Sequence, residues 1–177
     1  MDMLDRDLQS VQAVRDLVRG AREAQKQLLE FSQEEIDRIV AAVARAGYDN
    51  AVRLGKMAAD ETGFGRAADK TIKNQFGSMS VYEAIKDIKT VGIIHEDTDA
   101  KIVEIAVPLG VVAGLIPSTN PTSTVMYKAQ LAIKSGNAIV FSPHPGAKNC
   151  TLEAVRVLRE AAEAAGCPKG AISCIEL

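Results

Sequence analysis

The stretch Gly110-Val-Val-Ala-Gly-Leu-Ile-Pro-Ser-Thr-Asn-Pro121 decides the fold. Its first seven residues, Gly110 to Ile116, make a nearly continuous apolar run, the pattern of a strand buried on both faces. Asn120 then stands where a helix N-cap is favoured, with Pro121 at the first helical position. The helix is expected to run to Ser135 and to stop before Gly136. A second apolar run covers Ala138 to Phe141. An amphipathic helix follows from Lys148 to Ala165, with Leu152, Val155, Leu158, Ala162 and Ala165 on one face and Gly166 and Pro168 at its end. Ala171 to Ile175 is a third strand. The order β-α-β-α-β implies a parallel sheet with right-handed crossovers. Three such strands are half of a doubly wound sheet, so the remaining strands are expected to come from outside this chain.

Upstream the periodicity changes. Leu4, Leu8, Val11, Val14, Val18, Ala21, Ala24 and Leu28 recur at steps of three and four and draw one apolar stripe along a first helix. That helix runs into the fold without a linker, so its stripe is expected in the core. Ser32 and Glu35 form a capping box for a second helix, with Phe31 and Ile36 as the hydrophobic staple. Gly47 weakens this pattern, and Asp49-Asn50 restarts a helix through Ala51, Leu54 and Met57. Gly63 and Gly65 mark a break, and a further helix spans about Arg66 to Ile85. Val91 to Ile94 and Ile102 to Val107 are β-rich and flank a polar loop over 95–100, which predicts a hairpin.

Composition narrows the function classes. The chain has 177 residues, 47% of them hydrophobic and 25% charged, which is a globular profile. A net charge of -2 gives no electrostatic reason to bind nucleic acid or an anionic membrane. No apolar run approaches the roughly 18 residues a membrane helix needs, and Met1 to Gln9 lack an export signal. The cytoplasm is the expected compartment, with the lumen of a bacterial microcompartment left open. Three cysteines without C-x-x-C spacing, and two histidines far apart, predict neither a disulfide framework nor a metal site.

Ligands of an open parallel sheet bind beyond the carboxyl ends of its strands. Two loops lie there. Pro117 to Pro121 offers the hydroxyls of Ser118 and Thr119 and the amide of Asn120, which can face a phosphate or an oxyanion or can serve as a plain N-cap. Ser142-Pro-His-Pro145 is stiffened by two prolines and reads as a wall for a nucleotide ring or as a rigid turn. No G-x-G-x-x-G follows either strand. Cys150 lies near a helix N-terminus, where a thiolate is favoured. No activating base is visible for it, so a structural role is expected, as it is for Cys167 and Cys174.

Ile116-Pro-Ser-Thr-Asn-Pro-Thr-Ser-Thr124, followed by Asn137-Ala-Ile-Val-Phe-Ser-Pro-His-Pro-Gly-Ala-Lys148, closely resembles the CoA-acylating aldehyde dehydrogenases. That group comprises acetaldehyde and propionaldehyde dehydrogenases and the front domain of bifunctional aldehyde–alcohol dehydrogenases. Asp69-Lys-Thr-Ile-Lys-Asn74 and Lys86-Asp-Ile-Lys-Thr90 extend the resemblance to essentially the whole chain. It implies an α/β fold: a helical N-terminal layer over 1–90, a β-hairpin oligomerisation arm over 91–107, then over 108–177 the first half of a Rossmann-like NAD-binding sheet of the aldehyde dehydrogenase fold.

The cofactor implied is NAD, with NADP left open because Ser142 stands where hydrolytic relatives carry a ribose-contacting lysine. Coenzyme A is the implied co-substrate. Partners are a small aldehyde or acyl-CoA and further copies of the same chain, with neither nucleic acid nor membrane. Leu115, Ile116, Pro117, Ser118, Thr119 and Asn120 match the nicotinamide loop, and Ser142, Pro143 and His144 the loop beside adenosine. Asn120 is the implied oxyanion donor. Hydrolytic relatives carry P-W-N-x-P, which makes Thr119 the alternative.

The implied chemistry is covalent: a cysteine thiolate attacks the aldehyde, hydride passes to the nicotinamide, and CoA takes the acyl group from the resulting thioester. The family's nucleophile lies well downstream of Leu177, so the catalytic domain is expected to be absent here and the chain alone inactive. The alternative reading is a non-catalytic assembly module derived from the same fold.

Overall fold

The computed structural model describes residues 5–176, apart from the Arg6 side chain, so Leu4 lies outside the described residues. Four helices come first: α1 (Arg6–Leu28), α2 (Gln33–Asp49), α3 (Ala51–Thr62) and α4 (Ala67–Gln75). A π-helical turn (Phe76–Ser80) and α5 (Val81–Ile85) continue α4 without a break. The antiparallel pair β1 (Gly92–Asp97) and β2 (Ile102–Ala106) follows. Then come β3 (Val111–Leu115), α6 (Pro121–Lys134), β4 (Ala138–Ser142), α7 (Lys148–Ala164) and β5 (Ile172–Cys174), with a 3-10 turn (Pro145–Ala147) before α7.

The strands β3-β4-β5 form one parallel sheet in that order, as the β-α-β-α-β pattern predicts. Both crossover helices end in the same way. The Asn137 N–H donates to the Ala132 carbonyl and the Gly136 N–H to Ile133. The Cys167 N–H donates likewise to Ala162 and the Gly166 N–H to Glu163. These are Schellman caps, and each needs a left-handed residue, supplied by Gly136 (φ 71°) and Gly166 (φ 100°). The chain is thereby turned straight into the next strand.

Packing makes layers. Helix α1 lies across all three strands on one face of the sheet. Helices α6 and α7 touch the strands without touching α1 to any extent, so they share the other face, as two right-handed crossovers of a monotonic sheet must. Helices α2, α3 and α4 cover α6 and α7 in turn. The core joins Leu28, Ile36, Met126, Phe141, Leu158 and Ile172.

Several expectations are corrected. The first half of the α1 stripe is outside the core: Leu8, Val11 and Val18 are exposed, and burial begins in earnest at Ala21. Only the carboxyl half of α1 overlies the sheet. Strand β3 is not buried on both faces; Ala113 is exposed, Val111 and Val112 are half-buried, and Leu115 is 69% exposed. It has one neighbour among the described residues, whereas the central strand β4 is buried from Ala138 to Phe141. The hairpin loop is shorter than 95–100, because a bulge after Ile93 keeps His95, Glu96 and Asp97 paired with β2.

Gly47 does not weaken α2. A Cβ there would meet Ser78 Cβ at 3.0 Å and Met126 Cγ at 3.3 Å, so the glycine admits the π turn and α6. The π turn was not foreseen. It leaves the carbonyls of Gly77 and Ser78 to accept from Gln130 Nε2, at 2.9 and 3.1 Å. It also brings Gly77 against α6, where a Cβ would sit 2.8 Å from the Ser123 carbonyl oxygen.

The hairpin is rooted by a polar knot. The Lys134 ammonium is 3% exposed, pairs with Asp37 at 2.5 Å and donates to the Lys86 carbonyl at 2.9 Å. Gln33 donates to Asp37 and accepts from the Thr90 and Val91 N–H groups, while the Thr90 hydroxyl donates to the Lys134 carbonyl. The helical layer thus fixes the residues at which the arm departs.

Two stability outcomes follow. Gly77→Ala should lower the denaturant unfolding free energy by about 1–3 kcal/mol through overpacking. Gly20→Ala, in α1 with open space around it, should raise it by about 0.5–1 kcal/mol. Equal effects at both positions in urea titrations would show that the close approach at Gly77 is absent in solution. A second outcome concerns Glu61, whose Oε1 accepts from the Asn149 N–H at 2.8 Å and Oε2 from the Cys150 N–H at 2.6 Å. Burial pushes its pKa up, but these two donors outweigh that and leave it below the ordinary 4.5. A depressed carboxylate stabilises the fold above its unfolded pKa and loses that contribution as pH falls through the folded value. Glu61→Gln should therefore lower stability by about 1 kcal/mol at pH 7, a capping magnitude, and by less at pH 3.

Candidate functional site

The parallel ladder does not stop at the ends of β3 and β4. The Ile116 N–H donates to the Ser142 carbonyl at 3.0 Å, and the His144 N–H donates to the Ile116 carbonyl at 3.1 Å. These two bonds carry the pairing into the loops and set Pro117–Asn120 beside Ser142–His144. The two stretches singled out in the sequence therefore share one edge of the sheet. Ile116 is the buried hinge of that edge, while Leu115, Pro117, Thr119 and His144 are exposed and Ser118, Asn120, Ser142 and Pro143 half-exposed.

Close packing behind the edge explains Gly114. A Cβ there would lie 2.6 Å from the Phe141 ring, the bulkiest fully buried side chain, so only glycine lets β3 pass it. Lys128, two turns along α6, donates to the Leu115 carbonyl at 2.8 Å and holds the last residue of β3.

Asn120 occupies the N-cap position, with φ -140° and ψ 58°, but its side chain makes no capping bond. That corrects the capping half of the sequence reading. Its Oδ1 is taken by the Lys73 ammonium at 2.8 Å. Pro121 has no N–H to cap, and Thr124 returns its hydroxyl to the Asn120 carbonyl at 2.6 Å. The Asn120 Nδ2 lies 3.5 Å from Thr119 Oγ1. The amide donor and the neighbouring hydroxyl are thus together and free of helix duty.

The residues that fix this loop come from α4. Lys70 is only 5% exposed and donates to the Thr119 carbonyl at 2.8 Å. Burial, and then the charge of Lys73, push its pKa down. Asn74 donates to the Ala51 carbonyl at 3.0 Å and accepts from the Thr122 hydroxyl at 2.7 Å, tying α3 to the first turn of α6. The sequence reading quoted Asp69 to Asn74 without giving these residues a role. The signal that could have found them is the polar triplet Lys70, Lys73 and Asn74 at i, i+3 and i+4, which shares one helix face.

The cysteines form no nucleophilic centre. Cys150 is fully buried, and its thiol donates to the Ala147 carbonyl at 3.4 Å. The N-terminal N–H groups of α7 that favour a thiolate are already satisfied by Glu61. Burial first, and then the Glu61 carboxylate, push the Cys150 thiol up to about 12. Burial likewise pushes Cys167 and Cys174 to about 12. The His144 Nδ1 accepts from the Gly146 N–H at 3.0 Å, a bond that stiffens the turn rather than presenting a base. Among the described residues, no group of three metal-ligating side chains forms, and no helix is long and apolar enough to cross a membrane.

Comparison with known proteins extends these observations. The chain is 44% identical over 160 residues to the bifunctional aldehyde-alcohol dehydrogenase of Escherichia coli (strain K12), which covers 90% of this chain and 18% of that protein. It superposes with TM-score 0.96 on a probable aldehyde dehydrogenase from Listeria monocytogenes EGD-e, 60% identical, over 98% of this chain and 38% of that one. An acetylating aldehyde dehydrogenase from Geobacillus thermoglucosidasius gives TM-score 0.96 at 57% identity over the same shares.

Two more distant structures hold ligands. A propionaldehyde dehydrogenase of Rhodopseudomonas palustris, 26% identical over 92% of this chain and 37% of its own with TM-score 0.74, has bound CoA and an acylated cysteine. An engineered glycolyl-CoA reductase, also 26% identical with TM-score 0.74 over 92% and 36%, has bound NADP+. The chain therefore spans well under half the length of these relatives. The sequence pattern of the aldehyde dehydrogenase family matches residues 5–176, and the chain belongs to that family, with acylating enzymes among its homologues.

Proposed function

We propose that this chain is the cofactor-facing N-terminal part of an NAD-dependent, CoA-acylating aldehyde dehydrogenase. The overall reaction is aldehyde + CoA + NAD+ ⇌ acyl-CoA + NADH + H+. The observation that carries the reading is the loop pair joined through Ile116, with the Asn120 amide and the Thr119 hydroxyl both released from capping. A parallel sheet gathers ligand-binding loops at this edge, and a donor fixed before the reaction begins stabilises a developing oxyanion.

The edge fits a nicotinamide cofactor. Leu115 is apolar yet exposed at a strand end, beside Pro117, Ser118 and Thr119, and these would face the nicotinamide half. Ser142, Pro143 and His144 would line the adenosine half. A bound nicotinamide supplies the two-electron acceptor. The residues of this chain would position it and hold the aldehyde oxygen. NAD is the cofactor proposed, and the NADP+ in the engineered reductase keeps NADP as the alternative. CoA as acyl acceptor is supported by the CoA-bound propionaldehyde dehydrogenase.

The thiol nucleophile is not among Cys150, Cys167 and Cys174. The chain by itself is thus proposed to be inactive, and the cytoplasm is its proposed compartment. The hairpin over 91–107 is proposed to pair with further copies of the chain. Ile93, Val103, Ile105 and Val107 are exposed on one face of it, an apolar surface larger than scattered single residues.

Asn120→Ala in the full-length polypeptide should lower kcat for CoA-dependent aldehyde oxidation by about 100-fold, the magnitude of one lost oxyanion donor, with the KM for NAD little changed. Thr119→Val should lower it less; the reverse order would move the donor role to Thr119, and no effect from either would remove the oxyanion reading. In this chain, no thiol should react with a disulfide probe at pH 8 until urea unfolds it. Rapid labelling of any of the three in the native state would contradict the structural role given to them.

A further inference from the structure

We propose that Lys73 is a positioning residue that sets the orientation of the Asn120 amide. The inference rests on Asn120 as oxyanion donor, and it explains how that side chain comes to be available. A lysine ammonium has donors only, so it can face only the amide oxygen. With Oδ1 held 2.8 Å from Lys73, the amide has one orientation, and Nδ2 lies on the Thr119 side, 3.5 Å from the hydroxyl oxygen. Without Lys73, the same amide would be drawn to the role its N-cap position favours. There Oδ1 accepts from the first turn of α6, and the NH2 group is carried away from Thr119.

Three observations show that Lys73 is committed to this contact. The nearest carboxylate in sequence, Asp69, is engaged by Arg66 through two bonds of 2.8 and 3.0 Å, leaving Lys73 to the amide. One turn earlier on the same helix, Lys70 holds the Thr119 carbonyl at 2.8 Å, so main chain and side chain of the same loop are gripped together. The two ammonium groups lie at i and i+3 on α4, where like charges oppose helix stability by a few tenths of a kcal/mol. Holding both against one loop works against that repulsion, which also lowers the Lys70 pKa after burial.

The arrangement also reconciles the two candidate donors. The Asn120 Nδ2 and the Thr119 hydroxyl are neighbours in this orientation, so one substrate oxygen can meet both. The positive charge of Lys73 behind the amide polarises it toward donation.

The test is a double-mutant cycle in the full-length polypeptide, with kcat and the KM for aldehyde and NAD measured for each variant. Lys73→Met should lower kcat by about tenfold while leaving the KM for NAD within about twofold, as expected for a misplaced donor. Lys73→Arg, which keeps a donor, should recover most of that loss. In the Asn120→Ala background, Lys73→Met should cost nothing further, because its partner is gone. An equal loss in both backgrounds would make Lys73 merely structural and overturn the inference. So would a normal kcat for Lys73→Met alongside a damaged Asn120→Ala. An undamaged Asn120→Ala would instead overturn the oxyanion reading itself, so the two failures are told apart. Thermal midpoints of Lys73→Met and Lys73→Arg within a few degrees of the parent are expected, since the side chain is exposed.

Discussion

Parallel pairing is the constraint on which the rest of the molecule depends. Parallel strands must be joined by crossovers, and crossovers place every strand-to-helix loop at the same edge. Here the ladder between β3 and β4 runs on through Ile116, which donates to Ser142 and accepts from His144. The two loops cannot drift apart without breaking the last rungs of the sheet. The site is thus an extension of the backbone hydrogen bonding of the core, and its precision comes from the same bonds that register the strands.

That constraint explains which parts of the fold were legible in sequence. Strand and helix order followed from apolar periodicity because the crossovers repeat one unit, and Gly136 and Gly166 mark the ends of both because a Schellman cap requires a left-handed residue. The capping box at Ser32 and Glu35 is local chemistry and was readable as such. The errors share a cause. The exposure of Leu8 and Leu115, the π turn at Phe76–Ser80 and the close contact at Gly47 depend on which element packs where, and periodicity carries no information about that. The hairpin bulge after Ile93 depends on how two strands settle against each other, which their separate compositions do not encode.

The candidate site shows the same division. Strand order placed the loops Pro117–Pro121 and Ser142–Pro145 at the carboxyl end of the sheet, and the family resemblance supplied the candidate residues Leu115 to Asn120 and Ser142 to His144. What the side chains bond to came from neither. Asn120 in front of Pro121 carries every local sign of an N-cap, yet a lysine from another helix takes its oxygen. Cys150 at the start of α7 has the one local sign that favours a thiolate, the helix N-terminus, but no activating base, and a glutamate from α3 has already occupied that terminus. In both places a charged group distant in sequence outcompetes the local interaction, because a charge-assisted hydrogen bond is stronger than a neutral one.

The two substitutions of partner have opposite chemical consequences. At α7, burial first, and then the Glu61 carboxylate placed at the helix terminus, push the Cys150 thiol up to about 12, against the lowering pull of the Cys150 and Thr151 N–H groups. At α6, a cation takes the amide oxygen and leaves Nδ2 on the Thr119 side. An anionic clamp would have done the reverse, drawing Nδ2 inward and presenting an acceptor to the substrate oxygen. On the proposed oxyanion reading, the sign of the clamping charge decides whether the loop after β3 attracts or repels the developing charge. Helix α4 supplies a positive one while burying Lys70 behind it. On that reading the helical layer would contribute to the electrostatics of the site as well as to its scaffold.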